Sequence, residues 1–216
     1  NVTLPLKEIA ALQCERLSAA AQRAGAANTL IRRGSAWDGD NTDGSGLLRD
    51  LRRLGADPGG RRVLILGAGG AARGILGPLL DARPECVVLA NRNPERALEL
   101  ALRFRSTASV EPVAWDALPP IDFDLILHAS AAAHGGAPVC FPNWRNGVDP
   151  VAYDLSYGAA ARGFLGHASD LGVGRRHDGL GMLVEQAADA FALWRQLRPA
   201  TDDVLRALRE QVEAGS

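Results

Sequence analysis

Gly67, Gly69 and Ala72 are spaced Gly-x-Gly-x-x-Ala, between the apolar run Val63-Leu64-Ile65-Leu66 and a helical pattern from Ala71 to Leu80. Strand, glycine turn and helix in that order form a phosphate-binding fingerprint of dinucleotide folds. Gly67 permits the tight turn, Gly69 removes a side chain where a pyrophosphate would approach the backbone, and Ala72 lets helix and strand pack closely. The free N–H groups and positive end of that helix then face an anion. A merely structural βα turn is the alternative. One strand further on stand Asn91-Arg92-Asn93 and Arg96. An NAD-binding unit places a carboxylate there for the ribose hydroxyls. Here no carboxylate repels a 2′-phosphate, and two guanidinium groups can fork onto one, which points to NADP. Taken singly, Arg92 and Arg96 read as solvated surface charges; their position after the second strand is what favours binding.

A second set of residues has suitable chemical types without a telling spacing. Thr3, Lys7, Asn28, Asp43, Tyr157 and Gln186 are polar groups in small or apolar surroundings. Each has a structural alternative: a strand end, a surface lysine, a backbone-satisfying amide, a helix cap, a core tyrosine and a solvated glutamine. Composition and spacing leave those alternatives open.

These residues need elements to hold them. Residues 1–7 read as a strand end and turn fixed by Pro5. One or two short helices fall within Glu8 to Arg23, the latter ended by Gly25, followed by a strand at 27–32 and a turn at Gly34-Ser35 with a short return. Thr42 or Asp43 can cap a helix from Ser45 to Leu54 whose apolar face is Leu47, Leu48, Leu51 and Leu54. Gly55 to Arg61 is a linker. Strands are then predicted at 63–66, 86–90, 110–115, 123–128 and 151–155, with helices at 71–82, 94–104 and about 159–171. A short strand and loop, 172–181, leads to a long helix from Met182 to Leu197 and a last one from Asp202 to Ala214, capped by Thr201. The alternation predicts an α/β fold, a Rossmann-like doubly wound parallel sheet. The terminal pieces fit a second, discontinuous and incomplete α/β domain, made of residues 1–43 and 183–216, around a nucleotide domain of 44–182.

The 216 residues are 47% hydrophobic and 23% charged with a net charge of −1, an ordinary globular balance. Nothing basic enough for nucleic acid or a membrane surface is present, and no apolar run is long enough to span a bilayer. Cys14, Cys86 and Cys140 are far apart and form no metal-ligand spacing, and the four histidines are scattered. This predicts a reducing, cytoplasmic setting, no metal, and Cys86 as a small core residue. The chain opens at Asn1 directly in a motif, which suggests a fragment.

Seven segments in order resemble the shikimate dehydrogenase family. They are Asn1 to Lys7, Gly25 to Thr29, Gly39 to Gly44, Gly67 to Gly74, Asn91 to Asn93, Tyr153 to Gly158 and Asp178 to Ala188. The resemblance implies an NADPH-dependent, reversible reduction of 3-dehydroshikimate to shikimate, in a monomer or homodimer. It matches Lys7 to the catalytic lysine and Asp43 to its carboxylate partner. Thr3, Asn28, Tyr157 and Gln186 match positions that hold the substrate's hydroxyls and carboxylate. Gly67, Gly69, Gly70 and Ala71 match the pyrophosphate loop, Asn91, Arg92 and Arg96 the adenosine-phosphate grip, and Gly179 and Met182 positions near the nicotinamide. Elementary chemistry agrees: hydride delivered to a ketone carbon leaves an oxygen that needs a proton, and an ammonium can give it.

Two departures stand out. The family's N-terminal Ser-x-Ser segment is absent from the sequence. Its Asn-Ala-Thr-Ser-x-Gly loop is here His128-Ala129-Ser130-Ala131-Ala132-Ala133, with a neutral His128 expected to keep some of the asparagine's hydrogen bonding. A quinate or amino-shikimate enzyme and a catalytically weak NADP-binding relative are the competing readings.

Overall fold

The computed structural model describes residues 1–3, 5–105, 109–130 and 149–214. Six strands form a wholly parallel sheet: β4 (Arg62–Leu66), β5 (Cys86–Asn91), β6 (Glu111–Ala114), β7 (Leu125–His128), β8 (Val151–Asp154) and β9 (Arg175–His177). Their spatial order is β6-β5-β4-β7-β8-β9, so the sheet grows outward both ways from the β4/β7 pair, as a doubly wound nucleotide fold does. The four central strands, β5, β4, β7 and β8, are mostly apolar because both faces are covered, whereas the edge strands β6 and β9 carry Glu111 and Arg175-Arg176-His177. Val63, Ile65, Val87, Leu89, Leu125 and Leu127 enter one core with Ile75, Leu76 and Phe104 from α4 (Gly70–Asp81) and α5 (Pro94–Phe104). Leu64, Leu66, Val88 and Ile126 enter the other with Phe164 and Ala168 from α6 (Arg162–Asp170). That split is the two-residue alternation of a strand.

The N-terminal segment builds a second, three-stranded sheet in the order β1-β3-β2, from β1 (Arg16–Leu17), β2 (Thr29–Arg33) and β3 (Ala36–Asp40). β2 and β3 are an antiparallel hairpin turned at Gly34-Ser35, where Gly34 adopts φ +62°. Short helices α1 (Lys7–Leu12) and α2 (Ala19–Ala24) flank it; Gly25 in the left-handed region ends α2 as expected. α3 (Asp43–Arg53) and α7 (Leu180–Arg195) pack on each other, and α8 (Asp202–Ala214) follows α7. Expected boundaries at 43/44 and 182/183 fall in the first turns of α3 and α7.

α3 also crosses α4 at a seam where Gly44 and Gly74 let the two helices approach closely. A Cβ at Gly44 would lie 2.4 Å from Pro78 Cγ and 2.8 Å from the Gly74 carbonyl oxygen, and one at Gly74 would lie 2.8 Å from Asp43 Oδ2.

Several expectations are corrected. Neither Thr42 nor Asp43 caps α3 through its side chain: Asn41 Oδ1 accepts the Asp43 N–H at 3.1 Å, which leaves the Asp43 carboxylate for other partners. Thr201 does stand at the start of α8, its carbonyl accepting the Leu205 N–H at 2.9 Å, and its hydroxyl donates to Glu185 Oε1 at 2.7 Å, tying α8 to α7. Cys86 is only half-buried, because it starts its strand at the sheet's end. The helix expected from 159 opens as a 3-10 turn, Gly158–Ala161. Ala131 to Ala133, His134 and Cys140 lie outside the described residues.

Candidate active site

Two cavities flank the start of α4. The first, 480 Å³, is lined by the glycine loop Gly67-Ala68-Gly69, by Asn91, Arg92, Asn93 and Arg96, and by Trp115, Ala129 and Ser130. Gly67 has φ +115°, and a Cβ there would come within 2.9 Å of the Ala129 carbonyl carbon and the Ser130 nitrogen, so only glycine fits. A Cβ at Gly69 would meet nothing within 4 Å, which leaves an open cradle at the head of α4. Gly69 is the N-cap of α4 and no side chain caps the helix, so its positive end is available to an anion. The two asparagines are scaffold. Asn91 Oδ1 accepts the Ala68 N–H at 3.2 Å and Nδ2 donates to the Asn93 carbonyl at 2.7 Å, while Asn93 Oδ1 caps α5 by accepting from Glu95 and Arg96. Arg92 and Arg96 supply the positive charge. Trp115 was not foreseen here; its indole N–H is buried with no hydrogen-bond partner among the described residues.

The second cavity, 320 Å³, is lined by Thr3, Lys7, Asp43, Tyr157 and Gln186, with Ala71, Gly179, Met182 and Leu183. Lys7, the first residue of α1, donates from Nζ to Asp43 Oδ2 at 2.6 Å; the two side chains are 13% and 4% exposed. Asp43 lies in the first turn of α3, where the helix dipole favours a carboxylate. Asn28, just before β2, does not line the cavity but fixes those that do. Its Nδ2 donates to Asp43 Oδ1 at 2.9 Å and to Gln186 Oε1 at 3.0 Å, and its Oδ1 accepts the Thr42 N–H at 3.0 Å. Thr42 adds a hydroxyl donated to the Gln186 carbonyl at 3.0 Å. Asn41 and Thr42 were read only as part of a turn. The signal available was the unbroken polar run Asp40-Asn41-Thr42-Asp43, longer than a cap needs. Tyr157 is 46% exposed and edges the cavity rather than the core. Ala71, expected at the pyrophosphate loop, faces this cavity; Gly70 lines neither.

The family descriptions "Shikimate / quinate 5-dehydrogenase" and "Shikimate 5'-dehydrogenase C-terminal domain" match residues 52–134 and 179–209. A shikimate dehydrogenase (NADP(+)) of Dechloromonas aromatica is 44% identical over 215 residues, covering 99% of this chain and 78% of that protein. The chain belongs to the shikimate dehydrogenase family. Another member, from Aeromonas hydrophila, is 46% identical over 98% of this chain and 78% of its own length. The fold matches the shikimate 5-dehydrogenase of Thermus thermophilus solved with NADP(H) and shikimate, at a TM-score of 0.79 and 33% identity over 97% of this chain and 77% of that one.

In this shikimate dehydrogenase family member, charged groups brace the helices that carry the second cavity. Burial, then the neighbouring Asp50 charge, pushes the Tyr153 phenol well above its ordinary value, so it stays protonated and donates to Asp50 Oδ2 at 2.7 Å. Asp50 is wholly buried, also accepts from Arg53, and abuts Gly181, where a Cβ would fall 2.1 Å from Oδ1. It thus ties α3 to β8 and to the first turn of α7. Burial works to raise Asp189 on α7, but hydrogen bonds from Ser45 and Arg198 outweigh it and hold the carboxyl below the usual range. His128 sits with Nδ1 2.9 Å from Asp154 Oδ2 and Nε2 3.2 Å from Ser130 Oγ. Among the described residues no group of three or more His, Cys, Asp or Glu could hold a metal, and no helix is long and apolar enough to cross a membrane.

Proposed function

We propose that the chain catalyses the NADP-dependent, reversible reduction of 3-dehydroshikimate to shikimate, a step of aromatic amino acid biosynthesis. The observation that carries the reading is the Lys7–Asp43 pair, 2.6 Å apart and almost buried in a cavity beside the glycine loop. The first cavity suits a phosphorylated dinucleotide: an open glycine cradle, an uncapped helix start and the two guanidinium groups of Arg92 and Arg96. NADPH, when bound, supplies the hydride.

The chain's own residues do the rest. Lys7 gives its Nζ proton to the ketone oxygen as charge builds there, and in the reverse direction takes it back. Before transfer the same cation stabilises the developing negative charge. Asp43, fixed on one oxygen by Asn28, holds Lys7 in place. Thr3, Tyr157 and Gln186 line the walls where substrate hydroxyls and carboxylate would bond. Gly179 and Met182 lie in the wall beside the nicotinamide position, and Gly67 and Gly69 cradle the pyrophosphate position. We place the substrate unit in residues 1–43 and 183–216 and the cofactor unit in 44–182. The protein acts in a reducing, cytoplasmic compartment, as a monomer or homodimer.

The test is NADPH formation from NADP with shikimate, run beside NAD and beside quinate. Shikimate-dependent turnover with NADP is expected. Turnover only with quinate would move the substrate, and none with any pair while NADP still binds would favour a non-catalytic relative.

A further inference from the structure

Tyr157 edges the second cavity with its residue surface 46% exposed, so side-chain packing alone does not fix where the phenol points. Its backbone is held instead. The Gly179 N–H donates to the Ser156 carbonyl at 2.8 Å, and the Gly158 N–H donates to Asp178 Oδ2 at 3.2 Å. The second bond pins the peptide unit that joins Tyr157 to Gly158, where the chain turns with Gly158 at φ +58°. The loop lies tight against the start of α7: a Cβ at Gly179 would fall 2.2 Å from the Leu155 carbonyl oxygen. Together the two make one wall of the cavity, with Tyr157 on the loop and Met182 and Gln186 on the helix.

Asp178 does not line the cavity, yet its buried carboxylate joins these two parts to a third. Oδ1 accepts the Leu180 N–H at 3.3 Å in the first turn of α7, and Nη1 of Arg209 on α8 lies 2.6 Å from the same oxygen. A carboxylate has acceptor capacity for all three donors. An arginine on one oxygen fixes the plane of the group, and so the direction in which the other oxygen faces Gly158. α8 is seated for this. Its Leu205 packs with Leu180 and Val184 of α7, with Leu208 and Val212 beside them. Val212 Cγ1 is also 3.7 Å from where a Cβ on Gly158 would stand. Among the described residues none of α8 lines the cavity, so its charge reaches the wall through Asp178.

We propose that Arg209 is a positioning residue for substrate: through Asp178 it holds the Tyr157–Gly158 peptide, and with it the phenol, where the substrate's polar groups bond. This rests on the reading of the second cavity as the shikimate site. The test is a double-mutant cycle on the KM for shikimate, with Arg209→Met, which keeps an apolar stem and removes the guanidinium, and Tyr157→Phe, which removes the phenol oxygen. Arg209→Met is expected to raise that KM by roughly three- to tenfold, the worth of one net hydrogen bond, with kcat and the KM for NADP unchanged. In the Tyr157→Phe background the same change is expected to add nothing. Additive losses, an unchanged KM or an equal loss in kcat overturns the proposal. Hydrogen exchange reads the coupling without substrate: the Gly158 amide is expected to exchange faster in Arg209→Met while the amides of the parallel sheet keep their rates. Unchanged exchange at Gly158, or an equal rise throughout the sheet, also overturns it. A wild type that binds NADP and turns over no shikimate overturns the substrate reading instead, and hydrogen exchange then still decides whether Arg209 holds the loop.

Discussion

The two cavities beside α4 are built on opposite principles. The cofactor side is made of backbone: a glycine turn, a helix start and strand ends, with asparagines that bond only to nearby main chain and two arginines added at the rim. The Lys7 side is made of side chains from distant parts of the chain, in which Lys7 meets Asp43 and Asn28 meets Asp43, Thr42 and Gln186. A rim cation can be removed without disturbing the frame. A member of the buried network cannot, because its loss strands its neighbours.

The largest effect that would sharpen this contrast is on turnover. Lys7→Ala is expected to lower kcat by roughly two to four orders of magnitude, the worth of a positioned general acid, while the KM for substrate changes far less. Steady-state kinetics reads both, and equal losses in binding and turnover would reduce Lys7 to a binding group. Next comes the network. Asn28→Leu keeps the branched heavy-atom shape but leaves Thr42, Asp43 and Gln186 without their shared partner, and about 1–3 kcal/mol of stability should be lost in urea unfolding. An unchanged midpoint would break the comparison. At the rim, Arg92→Ala or Arg96→Ala should each weaken NADP by roughly tenfold, the scale of one charge-assisted hydrogen bond, with NAD affinity and melting temperature unchanged. Equal loss of NAD and NADP would deny them the 2′-phosphate.

The smallest effect concerns His177, at the end of β9. Burial holds its imidazole below the ordinary value; the Asp50 charge opposes this and Arg175 adds to it. The unfolded chain therefore binds more protons than the folded one from about pH 6.5 down to the lowered folded value. Stability from this group is full above that window and falls as the pH drops through it. His177→Asn should flatten the melting temperature between neutral and mildly acid pH. An identical slope in the variant would place the dependence elsewhere.

The cofactor side was legible in the sequence because one βαβ stretch carries it. The elements at 62–66, 70–81 and 86–91 appear within a residue or two of their expected places, and α5 appears at its expected bounds, Pro94–Phe104. The roles within Asn91-Arg92-Asn93 were less legible, since a grip and a scaffold look alike until the carbonyls they bond are known. Lys7 and Asp43 are 36 positions apart, and no periodicity joins them; only the resemblance did. β1, two residues long, gives no pattern at all. The His128–Asp154 pair follows from register, because the two residues are direct partners at the ends of adjacent parallel strands. That register is set by packing on both faces of the sheet rather than by either strand alone.

Neither Gly44 nor Gly74 can gain even a methyl group without displacing backbone or the Asp43 carboxylate. The wall of the pocket that carries Asp43 is therefore closed to gradual change. A lineage exploring bulkier or smaller ketones has to do so from the opposite wall, at Tyr157 and Leu183, where single substitutions alter volume without touching the seam. Substrate range can thus diversify on one side of the reacting carbon while the proton-handling side is inherited unaltered.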